Sequence, residues 1–555
     1  MPEAPTVLAP HPVIAPGAPW PLVTAAEMGA LDRHTIRTLG VAGEVLMESA
    51  GRAVVEAVLD VLQTEASAVA GDAEVVVVCG TGNNGGDGLV VARQLHVLGV
   101  PVRAALLGDP KKLRGDAAAN WKRARAAGVP LEGPRWKPPR RGVLVDAIFG
   151  TGLARKVEGT PAAAIRRINA ARDLDVWVLA VDLPSGIDSD TGQVHGVAVE
   201  ADCTVTMSLP KLGLAVEPGR TRAGETLVAR IGIADAAPGV VPSAELWTPA
   251  AAGWALPPRP VDGHKGSFGH VLLVAGGEGK TGAAALAASA AVRGGAGLVT
   301  LACPAGLNDV LEVKCTEAMT VPVADTERRC LAAAAEDAVV GLATERDVVA
   351  CGPGIGRARE TGDLVRALAK RVEGPLVLDA DGLFPFAGAP ETLRARQAPT
   401  LLTPHPGEAA RLLGTTVAKL SRDRPGAARG LAERTGAVVV LKGAATLVAD
   451  PSGRLAVNPT GGPALASGGT GDVLTGLVAA MLAQGLPAFE AACAAVYVHG
   501  EAGDAHAREH GEAGLAAGDL ARALPAAAER LRRAAQGDEE AEVGRAGLLL
   551  SFPGR

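Results

Sequence analysis

The chain has 555 residues, of which 48% are hydrophobic and 21% are charged. This length exceeds one ordinary hydrophobic core and predicts at least two domains. The net charge of −6 gives no argument for binding nucleic acid or an anionic membrane surface. The seven cysteines include no Cys-x-x-Cys pair, which excludes a zinc knuckle or disulfide framework and indicates a reducing, cytoplasmic compartment.

The N-terminal segment, residues 1–21, is rich in Pro and Ala, and its first twenty residues contain no Lys or Arg. Repeated Pro breaks any helix, so this segment fits neither a signal peptide nor a transit helix. We predict a disordered arm. Apolar runs such as residues 474–486 are too short and too Gly-bounded to span a membrane.

Residues 22–240 alternate strand-like and helix-like runs, beginning with VVVVCG at residues 75–80. Such alternation predicts a parallel sheet covered by helices, with ligands bound outside the carboxyl ends of the strands. Three polar clusters fall at predicted strand ends, namely GTGNNGGDG, DAIFGTGLARK and DLPSGID. The N-terminal half is therefore predicted to be an α/β domain with a ligand site at that edge.

The first glycine-rich segment is CGTGNNGGDGLVVARQL, Cys79 to Leu95. It lies between a strand-like run and a helical pattern, so we predict a turn whose free amides and helix dipole face an anionic ligand. The pattern is neither a P-loop nor a dinucleotide fingerprint. A plain tight strand-to-helix turn remains the alternative.

Residues 241–258 are rich in Pro and Ala and lack periodicity, which predicts a linker. The α/β alternation restarts over 259–535 with a different order of motifs. Two different α/β domains in series are therefore predicted, followed by a solvated tail at 536–555.

The second glycine-rich segment, GGTGDVLTGLVAAML at residues 468–482, is the sharper of the two. Backbone donors of Gly469, Thr470 and Gly471 precede Asp472 in the first turn of an apolar helix. Such a helix start can bind a phosphoryl group in transfer, and the carboxylate can accept the proton of an attacking hydroxyl. Lys442 in LKGAAT supplies a positive charge for phosphate oxygens. The alternative is that Asp472 only caps the helix.

These motifs resemble a known pair of families. GGTGDVLTG, LTPHPGEAARLLG, LDADGL, GPGIG and HKGSFGHVLLVAGG resemble the ADP- or ATP-dependent NAD(P)H-hydrate dehydratases, while GNNGGDGL, DAIFGTGL and DLPSGIDSDTG resemble the NAD(P)H-hydrate epimerases. The resemblance covers nearly the whole chain. It implies a Rossmann-like three-layer domain followed by a ribokinase-like domain, and repair of the hydrates NADHX and NADPHX by a tandem of the two enzymes.

For the N-terminal half, the resemblance implies a set of substrate-binding residues at the strand ends: Asn83, Asn84, Gly85, Gly86, Asp87, Gly150, Thr151, Gly152, Leu153, Ala154, Arg155, Lys156 and Asp182. It also implies that Asn84, Asp146 and Ser185 hold a potassium ion (K+), and amide, carboxylate and hydroxyl oxygens suit a hard cation. Asp182 is the candidate acid/base by its position. Ser49 stands where the family usually has Asn, and the roles of Asp188 and Lys211 stay open.

For the C-terminal half, the resemblance implies substrate positions at Ala283, Gly354, His405 and Asp472, with Asp472 as the catalytic base. The implied nucleotide positions are Lys442, Gly443, Ala444, Ala445, Thr446, Gly469, Thr470 and Gly471. ADP is implied as co-substrate with Mg2+, and the same phosphate chemistry leaves ATP open. By its residues alone His405 also fits a loop histidine with local hydrogen bonds.

Two other functions remain compatible with the residues. The C-terminal half could be a small-alcohol kinase, and the N-terminal half could be a binding module without activity. A kinase would release a stable phosphorylated product, whereas a dehydratase releases the reduced nicotinamide and phosphate. The expected partners are the small molecules NADHX, NADPHX and ADP, and a second copy of the chain in a homo-oligomer.

Overall fold

The computed structural model describes residues 17–64, 73–537 and 549–552. They form two compact units, one built mainly on Pro21–Ala244 and the other mainly on Glu245–Ala541. No helix of the described ranges is long and apolar enough to cross a membrane.

The first unit and the segment leading into it contain strands and helices in alternation. The strands are β1 (Trp20–Leu22), β2 (Glu74–Cys79), β3 (Val102–Leu106), β4 (Leu131–Glu132), β5 (Arg141–Ala147), β6 (Asp175–Val181), β7 (Cys203–Met207) and β8 (Glu225–Ala229). The helices are α1 (Ala25–Arg37), α2 (Gly43–Thr64), α3 (Asn83–Val97), α4 (Gly115–Ala126), α5 (Gly159–Ala171), α6 (Leu212–Ala215) and α7 (Gly219–Ala223).

Strands β8-β7-β6-β5-β2-β3-β4 lie side by side in that order and run parallel. Successive side chains of a strand point to opposite faces. Val75 and Val77 pack with apolar residues of α2, α3 and α4, whereas Val76 and Val78 pack with those of α5. The sheet is thus buried on both faces, which confirms the predicted three-layer α/β class.

The second unit repeats this class with other connections. Its strands are β9 (Ala244–Leu246), β10 (His270–Val274), β11 (Leu298–Pro304), β12 (Met319–Val323), β13 (Val348–Cys351), β14 (Leu376–Leu378), β15 (Thr400–Leu402), β16 (Val438–Leu441), β17 (Leu447–Ala449) and β18 (Leu455–Val457). Its helices are α8 (Pro249–Ala255), α9 (Thr281–Arg293), α10 (Asn308–Lys314), α11 (Glu336–Ala343), α12 (Arg359–Arg371), α13 (Pro406–Leu413), α14 (Val417–Leu420), α15 (Arg424–Thr435), α16 (Thr470–Ala483), α17 (Ala488–His510) and α18 (Ala517–Gln536).

The sheet of the second unit has the order β9-β18-β17-β16-β15-β14-β13-β10-β11-β12. The run from β16 through β12 is parallel, and β16, β17 and β18 form an antiparallel meander. Helices α8, α9, α16, α17 and α18 share one large apolar core with residues of the central strands. Parallel strands bring their carboxyl ends to one edge, so the loops that follow β13 to β16 lie near one another.

The predicted linker at 241–258 is wrong, because it contains strand β9 and helix α8. Trp247, Ala252 and Leu256 belong to the apolar core of the second unit, and a Cβ on Gly253 would lie 1.9 Å from the Leu531 carbonyl oxygen. Small residues here permit close helix packing. The Ala-rich composition therefore reflects a packed helix.

Both predicted ends also need correction. Of the predicted arm at 1–21, residues 1–16 lie outside the described ranges, and strand β1 already begins at Trp20. Of the predicted tail at 536–555, residues 538–548 and 553–555 lie outside them, but Leu549–Ser551 form strand β19, which pairs antiparallel with β8. A three-residue strand carries too little periodicity to be found from sequence, and its partner is more than 300 residues earlier in the chain.

Candidate active sites at the carboxyl ends of the two sheets

The glycine-rich segment after β2 is mostly helical. Helix α3 begins at Asn83, so Asn83 to Asp87 form its first turns, and the predicted turn is limited to Gly80–Gly82. A Cβ on Gly85 would lie 1.9 Å from the Gly80 oxygen, and a Cβ on Gly88 would lie 2.6 Å from Ala147 Cβ. These glycines therefore let the helix start approach the strand ends closely.

Asp146 at the end of β5 is fully buried and is bound to Ser185 of the loop after β6. The Ser185 hydroxyl donates to Asp146 Oδ1 at 2.7 Å, and the Ser185 amide donates to Asp146 Oδ2 at 2.8 Å. The Ile148 amide donates to Oδ1 at 3.2 Å. Burial raises the pKa of Asp146 to about 6, although these hydrogen bonds oppose the rise.

Asn84 and Asp182 meet at Gly150, in the loop after β5. A Cβ on Gly150 would lie 3.2 Å from Asp182 Oδ2 and 3.4 Å from Asn84 Oδ1. The Asn84 side chain is buried, and its Nδ2 has no hydrogen-bond partner within the described chain. The Phe149 amide donates to Ser185 Oγ at 2.8 Å, which joins this group to the Asp146 pair. The structure thus gathers Asn84, Asp146, Asp182 and Ser185 around one loop.

The rest of that loop is more open to solvent. Gly152, Ala154, Arg155 and Lys156 are exposed, and Thr151 and Leu153 are half-buried. Lys156 pairs with the exposed Glu158 at 2.9 Å. The Arg155 guanidinium makes no hydrogen bond or ion pair with any described residue. The Arg155 cation is thus unpaired among the described residues, and it belongs to the same loop as Gly150.

Asp87 is the third carboxyl group of this region. Burial, together with the negative charges of Asp182 and Asp32, raises its pKa well above the usual range. Burial also raises the pKa of Asp32, which lies in α1. No strand-end motif contains Asp32, so it was not predicted as a site residue.

The sequence left the roles of Asp188 and Lys211 open, and these two residues have different surroundings in the structure. Asp188 accepts hydrogen bonds from the amides of Asp190 and Thr191 and contacts His195 at 2.9 Å, so turn chemistry explains it. Lys211, in contrast, is 1% exposed and forms an ion pair with Asp182 at 2.5 Å. Ser49 lies half-buried in α2.

In the second unit, Asp472 occupies the first turn of α16. The helix starts after Gly469, whose φ of 94° is easily adopted only by glycine, and no side chain caps its amides. A Cβ on Gly471 would lie 3.5 Å from Lys442 Nζ. Burial raises the pKa of Asp472 to about 6, and the negative charge of Asp379 adds to the rise. The helix start therefore combines free amides, an ammonium and a carboxyl group.

Lys442 follows β16, and its ammonium lies 2.9 Å from Asp379 Oδ1 at the end of β14. The Thr475 hydroxyl donates to Asp379 Oδ2 at 2.6 Å. Burial alone would raise the pKa of Asp379, but Lys442 and Thr475 hold it below the usual range. Asp379 lies within the motif LDADGL but was not predicted as a site residue.

The loop from Lys442 to Thr446 turns sharply between β16 and β17. Ala445 has a φ of 50°, and the Thr446 hydroxyl donates to the Gly443 oxygen at 2.9 Å. Arg424 donates to the carbonyl oxygens of Ala444 and Ala445. These hydrogen bonds engage the carbonyl oxygens of Gly443, Ala444 and Ala445, and they fix the backbone conformation of the loop.

Two predicted substrate positions of this half are neighbours. Gly354 has a φ of 67°, and a Cβ on it would lie 3.1 Å from Ala283 Cβ. Nearby, Asp381 accepts hydrogen bonds from Lys280 and Arg357, each at 2.8 Å. Beside the larger effects of burial and Asp379, the negative charge of Asp381 raises the pKa of Asp472 and the positive charge of Lys280 lowers it.

The third predicted position, His405, is the N-cap of α13. Its Nδ1 accepts from the Gly407 amide at 3.0 Å, and its Nε2 lies 3.3 Å from Glu408 Oε1. Its loop is joined to Lys442, whose amide donates to the Pro404 oxygen at 3.0 Å. Local hydrogen bonds therefore engage a side chain that is still 55% exposed.

His499, which is buried in α17, was also not predicted as a site residue. Its Nε2 lies 2.8 Å from the Thr470 oxygen, and burial lowers its pKa to about 4. A neutral imidazole therefore donates to the first turn of α16. Histidine inside a long apolar helix gives no sequence signal of such a contact.

The two units match two family models. Residues 271–526 match the model of NAD(P)H-hydrate dehydratase, and residues 43–213 match that of the YjeF-related protein N-terminus. Together with the two sheets, these matches define a tandem of two α/β domains, of which the second is an NAD(P)H-hydrate dehydratase domain.

Full-length relatives carry both parts. The chain is 43% identical over 534 residues to the bifunctional NAD(P)H-hydrate repair enzyme Nnr of Moorella thermoacetica, covering 94% of this chain and 99% of that protein. It is 40% identical to the enzyme of the same name from Thermofilum pendens, covering 91% and 96%. Among solved structures, the ADP/ATP-dependent NAD(P)H-hydrate dehydratase of Bacillus subtilis, co-crystallized with ATP/Mg2+, is 32% identical with a TM-score of 0.45, covering 52% of this chain and 98% of that one. The chain belongs to the family of bifunctional NAD(P)H-hydrate repair enzymes.

Proposed function

We propose that the chain epimerises the R and S forms of NADHX and NADPHX at C6, and dehydrates the S form to NADH or NADPH while ADP is converted to AMP and phosphate. The observation that carries the dehydratase part is the start of α16, where Asp472 and Lys442 flank uncapped amides. That arrangement supports a phosphoryl transfer centre.

In this proposal Asp472 takes the proton of the C6 hydroxyl while the hydroxyl oxygen attacks the terminal phosphoryl group of ADP, and AMP leaves. The C6–O bond then breaks with loss of phosphate, driven by the lone pair of the ring nitrogen. Loss of a proton from C5 restores the 1,4-dihydropyridine. The amides of Gly469, Thr470 and Gly471 and the ammonium of Lys442 stabilise the phosphoryl oxygens.

The nucleotide is proposed to lie along Lys442, Gly443, Ala444, Ala445 and Thr446. Among the described residues no group of three or more His, Cys, Asp or Glu side chains could hold a metal ion, so Mg2+ would bind mainly through the phosphates of ADP. ATP offers the same phosphates, and ADP is proposed because the resemblance of the motifs implies it. Ala283, Gly354 and His405 are proposed to contact the hydrate.

In the epimerase part, Asp182 is the proposed acid/base, because its Oδ2 faces the loop at Gly150. The unpaired Nδ2 of Asn84 offers a hydrogen bond to a substrate oxygen. The helix start at Asn83 to Asp87 and the loop from Gly150 to Lys156, with the free cation of Arg155, suit the phosphates of the dinucleotide.

The donor set of Asn84, Asp146 and Ser185 fits K+. All three can offer oxygen, two are neutral, and the single carboxylate is buried, which suits a monovalent hard cation better than a divalent one. Bound there, K+ would supply a positive charge near the substrate, and the three residues would hold the loops that carry them.

One experiment separates this function from its alternatives. The protein is incubated with the purified S hydrate, Mg2+ and ADP, and the products are analysed. The proposal predicts stoichiometric NADH, AMP and phosphate, whereas a kinase would leave a stable phosphorylated hydrate. Purified R hydrate tests the first unit, because a mere binding module would leave its conversion at the spontaneous rate.

We also propose that the chain acts in the cytoplasm as a homo-oligomer. All seven cysteines are free, which supports a reducing compartment. Size-exclusion chromatography with light scattering tests the oligomeric state.

A further inference from the structure

Lys211 is one of the largest fully buried side chains of the described residues. Its ammonium donates to Asp182 Oδ1 at 2.5 Å, to the Met207 carbonyl oxygen at 2.9 Å and to Thr206 Oγ1 at 3.1 Å. An ammonium has three protons, so these bonds satisfy it. Lys211 therefore has neither the access nor a free donor to bind a ligand directly.

The two oxygens of Asp182 have different surroundings. Oδ1 accepts a hydrogen bond from the Lys211 ammonium. It also lies 3.3 Å from the Met207 amide nitrogen and 3.4 Å from Thr206 Oγ1. Oδ2 has no hydrogen bond to any described residue, and it faces Gly150 beside Asn84. One oxygen is thus anchored, while the other is directed to the proposed reacting centre.

The backbone around this pair is also held in unusual conformations. Asp182 has a φ of 71° and Ser208 a φ of 60°, both rare for residues with a side chain. Such conformations persist where the surrounding contacts fix them, and they concentrate at functional sites. The segment carrying Lys211 is itself fixed, because Val23 exchanges backbone hydrogen bonds with Pro210 and Leu212.

We propose that Lys211 is a positioning residue for epimerisation, which holds Asp182 Oδ1 so that Oδ2 is presented to C6 of the hydrate. This inference rests on the proposed acid/base role of Asp182. A positioned acid/base loses rate when its orientation is lost, whereas substrate binding by other groups is retained.

The test uses the full-length protein, the purified R hydrate, saturating ADP and Mg2+, with epimerisation made rate-limiting. Lys211→Met removes the charge but keeps the length of the side chain. We expect kcat to fall roughly tenfold to a hundredfold with KM nearly unchanged. In the Asp182→Asn background the same change should cause no further loss, because Lys211 acts only through Asp182.

Arg103→Met is the matched control. Arg103 on β3 is a 14% exposed cation paired with Glu74 on β2 and Glu132 on β4, far along the sheet order from β7. The substitution Arg103→Met should lower the stability of the first unit without a comparable loss in the kcat of epimerisation. Dehydration of the S hydrate serves as the internal control for an active second unit.

The outcomes separate the two levels of the proposal. Wild-type epimerisation by Asp182→Asn would overturn the role of Asp182 itself. If Asp182→Asn is inactive but Lys211→Met keeps more than half of the wild-type kcat, the positioning role is wrong. A further tenfold loss in the double variant also contradicts it. If Lys211→Met unfolds the first unit, Lys211→Gln, which keeps two donors without the charge, must show the same kcat loss.

Discussion

Lys442 Nζ lies 2.9 Å from Asp379 Oδ1, and this pair of a half-buried lysine and a buried aspartate lies beside the glycine loop that begins α16. Asp379 is 2% exposed, so its charge depends on this ammonium and on the Thr475 hydroxyl. The pair places the Lys442 ammonium at the helix start. Removing Lys442 alone would leave the Asp379 carboxylate buried without a partner, which costs stability.

Lys442→Met is therefore expected to reduce both stability and activity. An unpaired buried carboxylate lowers the free energy of unfolding by about 3–5 kcal/mol. The double variant Lys442→Met/Asp379→Asn should regain much of that stability but no nucleotide-dependent activity. Urea-induced unfolding and steady-state assays measure the two effects, with exposed Lys370→Met as control. Wild-type stability and turnover in Lys442→Met would refute the interpretation.

Asp472→Asn tests the base in the second unit. The amide keeps the size of the side chain but cannot accept the hydroxyl proton, so dehydration of the S hydrate should fall about two to four orders of magnitude. Asp519→Asn, which changes an exposed first-turn carboxylate of α18, is the matched control. An Asp472→Asn rate above a third of wild type would reduce Asp472 to a helix cap.

The pH dependence of dehydration should report the same carboxyl group. Burial and Asp379 raise the pKa of Asp472 to about 6, and only the ionised form can act as base. The value of kcat/KM for the hydrate should therefore fall as pH drops below about 6 and level off above it. Asp472→Asn should lose this dependence in its residual rate. The range from pH 5 to pH 7 extends about one unit to either side of that pKa. A wild-type kcat/KM that stays constant over this range would contradict the assignment.

The sequence was sufficient to predict the α/β class and the strand ends that carry the polar clusters. Strand β2 and helix α16 have strong apolar patterns, and glycine-rich segments mark the turns between such elements. The Lys211–Asp182 and Lys442–Asp379 pairs were not predicted, because each joins distant segments through side chains that no local pattern relates. The β9–α8 segment was misjudged because Pro and Ala are typical of linkers as well as of close-packed helices.

Asp146→Asn tests the proposed potassium site of the first unit. Among Asn84, Asp146 and Ser185 only Asp146 carries a charge, and its removal should weaken cation binding by at least about tenfold. The K+ concentration that gives half-maximal epimerisation of the R hydrate should therefore rise by the same factor. Asp175→Asn, at the opposite end of the neighbouring strand β6, is the control. Dehydration of the S hydrate should stay unchanged, and an unaltered potassium response would argue against the site.

The most direct measurement gives the full-length protein an equal mixture of R and S hydrates with ADP, Mg2+ and K+, and follows the absorbance of reduced nicotinamide. The proposed tandem activity predicts that the whole mixture is converted in one fast process, with AMP and phosphate formed in equal amounts. Conversion that stops near half of the mixture and continues at the spontaneous rate would contradict the epimerase function. No absorbance increase, despite consumption of ADP, would contradict the dehydratase function.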